Sequence, residues 1–250
     1  MSWRADGIAV TGLIDGSMAT RQVKKRMMFR NELKHHVSEL DLIGLRQRLR
    51  LVAQTDPYAD KNGQYTIKSL YFDNCYDKAL MEKIAGYEKR EKFRIRYYNG
   101  DTSFIRLEKK SKISGMCLKN SCPITREQVE RLLVGDTAWM KASEHELITE
   151  LWAKMQYQLL RPKSIVIYDR EAYVYKPGNV RVTIDSNVRG SAALTNFLTG
   201  DMAELKLFQP SILEIKWDEF LPQIIRDIVQ LEHIKSSNFS KYAATRFSAF

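Results

Sequence analysis

The sequence predicts an α+β domain: an antiparallel sheet or closed barrel of eight short strands with helices attached. Three observations predict it. Strand-like segments with a period-two alternation of apolar and charged residues recur along the chain, whereas helical periodicity is clear in only four places. The strands follow one another in groups rather than alternating with helices one by one, which disfavours a β-α-β-α fold. No repeat, low-complexity tract or Pro/Ser/Gly linker divides the 250 residues, so a single domain from about Met27 to Phe250 is expected. A hydrophobic share of 44% is ample for its core.

Taken in order, residues 1–26 carry Asp6, Asp15, Arg21, Lys24, Lys25 and Arg26 and no continuous apolar core. This is not a secretory signal and reads as a loose leader. Residues 28–35 form the first strand. Ser38–Val52 is a helix with Leu42, Leu45, Leu49 and Val52 on one face. A strand at 65–72 precedes a short helix, Asp77–Ile84. Strands at 90–98, 103–111 and 115–121 follow. Thr125–Val134 opens with the capping box Thr125-x-x-Gln128. Ser143–Leu160 opens with a second, Ser143-x-x-Glu146, and carries the stripe Leu147, Leu151, Met155 and Leu159. Strands at 164–175, 180–186 and 211–218 lead to a last helix, Phe220–Ile234, with Pro222 in its first turn.

Lys plus Arg total 40 and Asp plus Glu total 30, a net charge of +10. That surplus implies an anionic partner: nucleic acid, a phosphate compound or an acidic membrane surface. Apolar runs such as Ile165-Val166-Ile167 fall far short of the roughly 20 residues a membrane span needs. Three cysteines, Cys75, Cys117 and Cys122, form no even disulfide framework and favour a reducing cytoplasm. Cys117 and Cys122 have no second Cys/His pair to complete a zinc site and read as ordinary half-buried thiols. Gly7 and Gly12 have P-loop spacing, but Leu13 and Ile14 stand where Lys and Ser/Thr are required. Neither G-x-S-x-G nor H-E-x-x-H occurs. His35 and His36 point to opposite faces of one strand, His145 reads as a surface residue and His233 as a helix-end residue, so a histidine mechanism is not expected.

The charged residues inside the strands carry the chemistry. Arg30, Glu32 and Lys34 share one face, with Phe29 and Leu33 on the other; Lys92, Arg94 and Arg96 oppose Phe93, Ile95 and Tyr97. Arg106, Glu108 and Lys110 oppose Ile105 and Leu107. Arg181, Thr183 and Asp185 oppose Val180, Val182 and Ile184, and Glu214, Lys216 and Asp218 oppose Leu213, Ile215 and Trp217. One such face is ordinarily a solvated exterior. Five, mostly led by basic residues with single glutamates between them, suit the inside of a barrel. Like charges ~4 Å apart repel by ~4 kcal/mol at an effective dielectric near 20. Such a lumen requires water and acids that offset part of the repulsion, and a polyanion with a divalent metal would satisfy it best. Arg forks grip phosphate oxygens, and spare carboxylates suit a divalent metal whose shell substrate phosphates complete.

Glu32-Leu33-Lys34, Arg94-Ile95-Arg96, Glu108-Lys109-Lys110, Tyr168-Asp169-Arg170, Arg181 to Asp185, Glu214-Ile215-Lys216 and Ser240-Lys241-Tyr242 occur in the order seen in the VTC domain, and Tyr71-Phe72-Asp73 also fits. From about Met27 to Arg246 the chain resembles that family, the polyphosphate polymerase domain of the vacuolar transporter chaperone complex and its bacterial relatives. The resemblance implies an eight-stranded antiparallel barrel whose lumen is a triphosphate tunnel. It implies transfer of the γ-phosphate of ATP onto a growing polyphosphate chain, with Mn²⁺ or Mg²⁺ as cofactor. Phosphate-handling catalytic residues would be Lys34, Arg94, Arg96, Lys110, Arg170 and Arg181, and further phosphate contacts would come from Lys119, Lys216, Ser240 and Lys241. Glu214 matches the family's metal-binding glutamate, with Glu32 and Glu108 as further candidates. Arg30 stands where the wider superfamily often has the first Glu of E-x-E-x-K, and Asn120-Ser121 follow Lys119 where relatives often continue basic.

Four structural alternatives stand beside these roles: Asp185 as a counter-charge to Arg181 or Lys216, Lys216 as a counter-charge between Glu214 and Asp218, Tyr71 and Tyr168 as core aromatics, and Ser240 as a helix cap. The alternative functions are a tunnel hydrolase of tripolyphosphate or an organic triphosphate, with Glu32 or Glu108 orienting water, and a non-catalytic polyphosphate-binding module. A nucleic-acid platform is disfavoured because Phe93 and Tyr97 lie on the face opposite the basic residues. The sequence predicts no membrane span of its own, though relatives act with membrane partners.

Overall fold

In a computed structural model the chain is described at residues 30–113, 116–231, 235–236 and 239–248. The leader 1–26, Phe29 and His233 lie outside the described residues. Eight strands build the barrel: β1 (Asn31–Val37), β2 (Gln64–Asp73), β3 (Arg90–Tyr98), β4 (Asp101–Ile113), β5 (Met116–Pro123), β6 (Arg161–Tyr175), β7 (Val180–Ser191) and β8 (Ser211–Trp217). They pair antiparallel in the order β1-β8-β7-β6-β2-β3-β4-β5. Arg30, just ahead of β1, bridges Cys117 of β5, so the two ends of the curled sheet meet. Two-residue strands at Gln54–Thr55, Leu205–Lys206 and Lys235–Ser236 flank β6, β7 and β1. Register shifts between Tyr71 and Phe72, Arg96 and Tyr98, and Ile167 and Asp169 bend the strands, as closure of a sheet requires. The β3–β4 hairpin turns on Asn99-Gly100, both at positive φ (51° and 74°), the geometry a tight two-residue turn needs.

The helices are α1 (Glu39–Val52), α2 (Lys78–Ile84), α3 (Arg126–Leu133), α4 (Glu146–Tyr157), α5 (Gln223–Val229) and α6 (Lys241–Ser248). Leu42, Leu45 and Leu49 of α1 pack with Ile225 and Ile228 of α5 on Val182, Ile184, Leu213 and Ile215. Val129 of α3 and Ile148, Leu151 and Met155 of α4 cover Phe93, Ile95, Tyr97 and Leu107. On β3, β4, β7 and β8 the apolar faces therefore point outward under helices and the charged faces inward, while β2 and β6 also turn apolar residues, among them Ile67 and Val166, to the inside.

Capping follows the sequence at α3, departs from it at α4, and adds a cap at α1. Ser38 Oγ accepts from the Asp41 amide, and Thr125 and Gln128 form the reciprocal box at α3. The box expected at Ser143 does not form. Helix α4 starts at Glu146 with His145 as its cap, and Ser143 Oγ instead accepts from the His145 amide at 3.2 Å. The last expected helix is also corrected. It runs only from Gln223 to Val229, with Pro222 as N-cap, and a separate helix α6 follows. Eight residues are too few to register as a periodicity, and such a helix depends on packing. Helix α6 has it: Tyr242 Oη donates to Asp73 Oδ2 at 2.7 Å and Arg246 pairs with Asp77 at 2.8 Å. Gly190 of β7 lies so close that a Cβ there would meet Thr245 at 3.0 Å. Helix α6 thus sits against one end of the barrel, where Tyr242 stacks on Tyr71 with centroids 5.1 Å apart.

Candidate active site

Strand register assembles the site. Arg94 lies opposite Glu108, which lies opposite Ser121; Lys92 lies opposite Lys110, which lies opposite Lys119. Lys34 pairs in register with Glu214 and Glu214 with Thr183, while Glu32 faces Lys216 and Lys216 faces Arg181. Because side chains alternate, all of these project to the inner face.

Each inner carboxylate is ringed by cations. Glu32 pairs with Lys34 at 2.5 Å and with Lys110 at 2.9 Å, the latter reaching from β1 to β4 across the barrel closure. Burial and the nearby Glu214 oppose its charge, but Lys34, Lys110 and Lys216 bring its pKa down to about 2. Glu108 takes Arg94 at 2.6 Å, Arg96 at 3.9 Å and Lys119. Burial opposes its charge too, and those three cations hold it far below the carboxylate range. Glu214 pairs with Lys216 and is likewise held well below that range, against burial, by Lys216, Lys34, Arg170 and Lys241. Asp185 does not balance Arg181 or Lys216. It receives Arg170 at 2.6 Å and Lys241 at 2.5 Å and is brought down to about 2, against burial, by those two cations.

The remaining residues take definite places. Arg96 Nε donates to Ser69 Oγ and its Nη2 to Tyr168 Oη, both at 3.0 Å. Arg94 Nη1 donates to Tyr71 Oη at 2.9 Å. Ser240 Oγ accepts from Lys92 at 3.1 Å and from the Ala243 amide at 3.4 Å, so it is both a cap and part of the lining. Lys241 Nζ lies 4.6 Å from the Tyr168 ring centroid. Arg181 reaches Asp56 at 2.7 Å and Tyr65 Oη at 2.8 Å. Lys119 is half exposed at the rim. Arg30, in place of a further carboxylate, pairs with Asp218 at 2.7 Å, so Lys216 is not held between Glu214 and Asp218.

Tyr71 and Tyr168 are the core aromatics the sequence suggested, buried in one cluster with Ile67, Val166 and Tyr242, and their hydroxyls also accept from Arg94 and Arg96. Their strands gave little sign of it: Tyr65, Ile67 and Ser69 share Tyr71's parity and carry no charge. Burial opposes the Tyr71 phenolate, yet Arg94, Arg96 and Lys92 bring the phenol down to about 7. Lys34 is raised: burial lowers it, but Glu214 and Glu32 more than offset that. Burial pushes Lys92 and Lys216 down to about 8.

These two lysines give a pH prediction. Above about 8 each loses its proton in the free protein, while a bound polyanion demands the charged form. Tripolyphosphate affinity should therefore fall as pH rises from 8 to 9.5, by about tenfold per pH unit for each proton taken up. Calorimetry across that range checks this; a flat profile contradicts it.

Among the described residues, no group of three or more His, Cys, Asp or Glu side chains is placed to hold a metal ion. Glu108, with its own ring of Arg94, Arg96 and Lys119, does not join Glu32 and Glu214 in one cage. Glu214 and Glu32 do fit a divalent ion that takes one or two carboxylates and draws its other oxygens from substrate phosphates. No helix among the described residues is long and apolar enough to cross a membrane. The three cysteines are free, with Cys75 exposed, Cys117 partly buried and Cys122 buried.

A model of the VTC domain matches residues 29–250. Among solved structures, a protein from Hippeastrum, described as an adenylyl cyclase candidate with a dominant triphosphatase activity, aligns with 88% of this chain and 96% of its own at 12% identity and a TM-score of 0.51. The PH1819 protein of Pyrococcus horikoshii OT3 aligns over 88% and 99% at 14% identity and a TM-score of 0.46. An adenylate cyclase candidate from Bacillus halodurans aligns over 76% and 80% at 12% identity and a TM-score of 0.46. The Hippeastrum likeness shows a shared fold. No curated protein matches the sequence.

Proposed function

Because the chain belongs to the VTC domain family, we propose that it transfers the γ-phosphoryl group of ATP onto a polyphosphate chain held in its lumen. One observation carries this reading: Lys34, Arg94, Arg96, Lys110, Arg170 and Lys216 converge on the inner face of the curled sheet, where Glu32, Glu108, Glu214 and Asp185 offset only part of their charge. An inward-facing cation excess of this kind suits a string of phosphates.

Phosphoryl transfer depends on positioning and charge neutralisation more than on covalent chemistry by the protein. Arg94 and Arg96, fixed by Glu108, Tyr71, Ser69 and Tyr168, present guanidinium groups to non-bridging oxygens. Lys34 and Arg170 neutralise charge on the opposite wall. A Mn²⁺ or Mg²⁺ ion held by Glu214 and Glu32 would supply further neutralisation at phosphate oxygens. The attacking group is a terminal phosphate oxygen, largely ionised near pH 7 because its second pKa is ~6, so no general base is required. The lumen glutamates agree with this: all three are held below the ordinary range by ion pairs, and such carboxylates are poor proton acceptors.

The test is incubation of the full chain with ATP and Mn²⁺, with products resolved on a polyphosphate gel. Chains together with ADP support the proposal. Orthophosphate alone identifies a triphosphate hydrolase, the activity attributed to the Hippeastrum neighbour. Tight polyphosphate binding without turnover identifies a binding module. Free thiols suit a reducing cytoplasm as the place of action.

A further inference from the structure

One hydroxyl on the inner face of the barrel is only half used. Tyr71 of β2 stands directly opposite Arg94 of β3 and Ser164 of β6, so its side chain shares the inner face with the Arg94 guanidinium. Its ring belongs to the apolar cluster there. Tyr242 of α6 stacks on it with centroids 5.1 Å apart, and Leu80 of α2 and Val166 and Tyr168 of β6 are buried in the same cluster. The stack fixes the ring and with it the oxygen. Arg94 Nη1 donates to that oxygen at 2.9 Å. Arginine offers no acceptor, so this bond leaves the phenolic proton unused, and among the described residues no acceptor takes it. The charges that weigh most on the oxygen are cations, Arg94, Arg96 and Lys92 of β3. Neighbouring carboxylates are engaged elsewhere: Glu108 accepts from Arg94 Nε, and Asp73 accepts from Tyr242 Oη and from the Ala79 and Leu80 amides.

We propose that Tyr71 is a phosphate ligand: while its oxygen accepts from Arg94, its hydroxyl proton is donated to a non-bridging oxygen of the phosphate chain bound beside that guanidinium. The assignment rests on the reading of the lumen as a phosphate site and adds to it a neutral donor among the cations. A phosphate oxygen next to Arg94 is the acceptor this proton lacks. The same geometry couples binding to a proton. Without ligand, the three cations favour the phenolate and bring the phenol down to about 7, against burial. A bound polyanion reverses that balance, because a phenolate would then face phosphate oxygens of its own sign. Tyr71 therefore takes a proton from solvent when the polyanion arrives. One side chain serves two states of the site: counter-ion to Arg94, Arg96 and Lys92 in the free protein, donor in the complex.

The test uses the full chain in chelator and without nucleotide, with tripolyphosphate as the ligand. At about pH 8 roughly nine-tenths of Tyr71 is ionised in the free protein. Ultraviolet difference absorbance should show about one tyrosinate per chain there, lost on saturation with tripolyphosphate and missing throughout in Tyr71→Phe. That variant keeps the ring and leaves Arg94 bonded to Glu108, so it removes the hydroxyl alone. At about pH 6, where the native phenol is protonated, calorimetry should find tripolyphosphate bound about tenfold more weakly by the variant. The deficit should narrow as pH rises through about 7, because only the native protein then takes up a proton at this position. The ligand's own protonation affects both proteins alike. A free protein without tyrosinate, a tyrosinate that persists in the complex, or equal affinity of the two proteins at about pH 6 overturns the proposal. Thermal melting verifies that the variant is folded, and the absorbance reading needs only the native protein. If the native protein binds tripolyphosphate with its tyrosinate unchanged, the Tyr71 assignment fails alone; if it binds none, the phosphate reading of the lumen fails with it.

Discussion

A Glu214→Gln protein is expected to lose metal-dependent chain synthesis by about 10³-fold or more. The substitution keeps the shape and removes one negative charge from a buried set in which Glu214 faces Lys216, Lys34, Arg170 and Lys241. Two consequences separate a metal role from a structural one. Without metal, tripolyphosphate should bind the variant at least as tightly as the native protein, because the lumen has become more positive. With Mn²⁺, the native protein should gain affinity and the variant should not. The stability cost is expected to be real, since removing one partner of a buried pair costs about 3–5 kcal/mol, so melting temperature must be measured alongside. Full activity in a folded Glu214→Gln protein would rule out the metal assignment.

Arg94→Ala is the second large effect. The guanidinium donates to Glu108 Oε2 at 2.7 Å through Nε and to Tyr71 Oη at 2.9 Å through Nη1, so its orientation is set before substrate arrives. Its loss removes a fixed cation from the phosphate path and should lower kcat by about 10²–10³-fold. It also leaves Glu108 with Arg96 and Lys119 alone and releases Tyr71 from its nearest cation, so the Tyr71 phenol should move back up from about 7. Ultraviolet titration of tyrosinate reads that shift independently of turnover. Arg94→Lys keeps the charge but not the fork. It should restore the fold and only part of the rate; equal rates for Lys and Arg at this position would show that point charge suffices.

Much of the barrel was legible because β-structure writes its burial at period two. Phe93-x-Ile95-x-Tyr97 and Leu213-x-Ile215 identify faces that must be covered, and Leu42, Leu45 and Leu49 identify a helix able to cover one of them. The cations Arg94, Arg96 and Lys34 followed from the opposite parity, whereas Arg170 came only from the family resemblance. The hydroxyl bonds of Tyr71 and Tyr168 were not legible, because an aromatic residue in a strand has the same appearance whether or not it bonds a guanidinium. Helix α6 was not legible either: its eight residues show no clear period, and its place rests on Asp73, Asp77 and Gly190, between 55 and 169 positions away.

By itself the sequence determined that each of five strand segments has one apolar and one charged face, and that cations exceed acids on the charged ones. Alternation is symmetric under inversion, however, and a charged face can as well be an exterior. Tertiary structure decided between the two. Helices α1, α3, α4 and α5 bury the apolar faces outside, and the Arg30–Cys117 bridge brings the sheet ends together around the charged ones. It also decided which carboxylate neutralises which cation, because those partners are set by strand register and barrel closure. Lys110 meets Glu32 from 78 residues away and Lys241 meets Asp185 from 56, and no local pattern encodes such pairs. The surplus of positive charge thus acquires a location: the inner face of the barrel, where Glu32, Glu108, Glu214 and Asp185 offset only part of it.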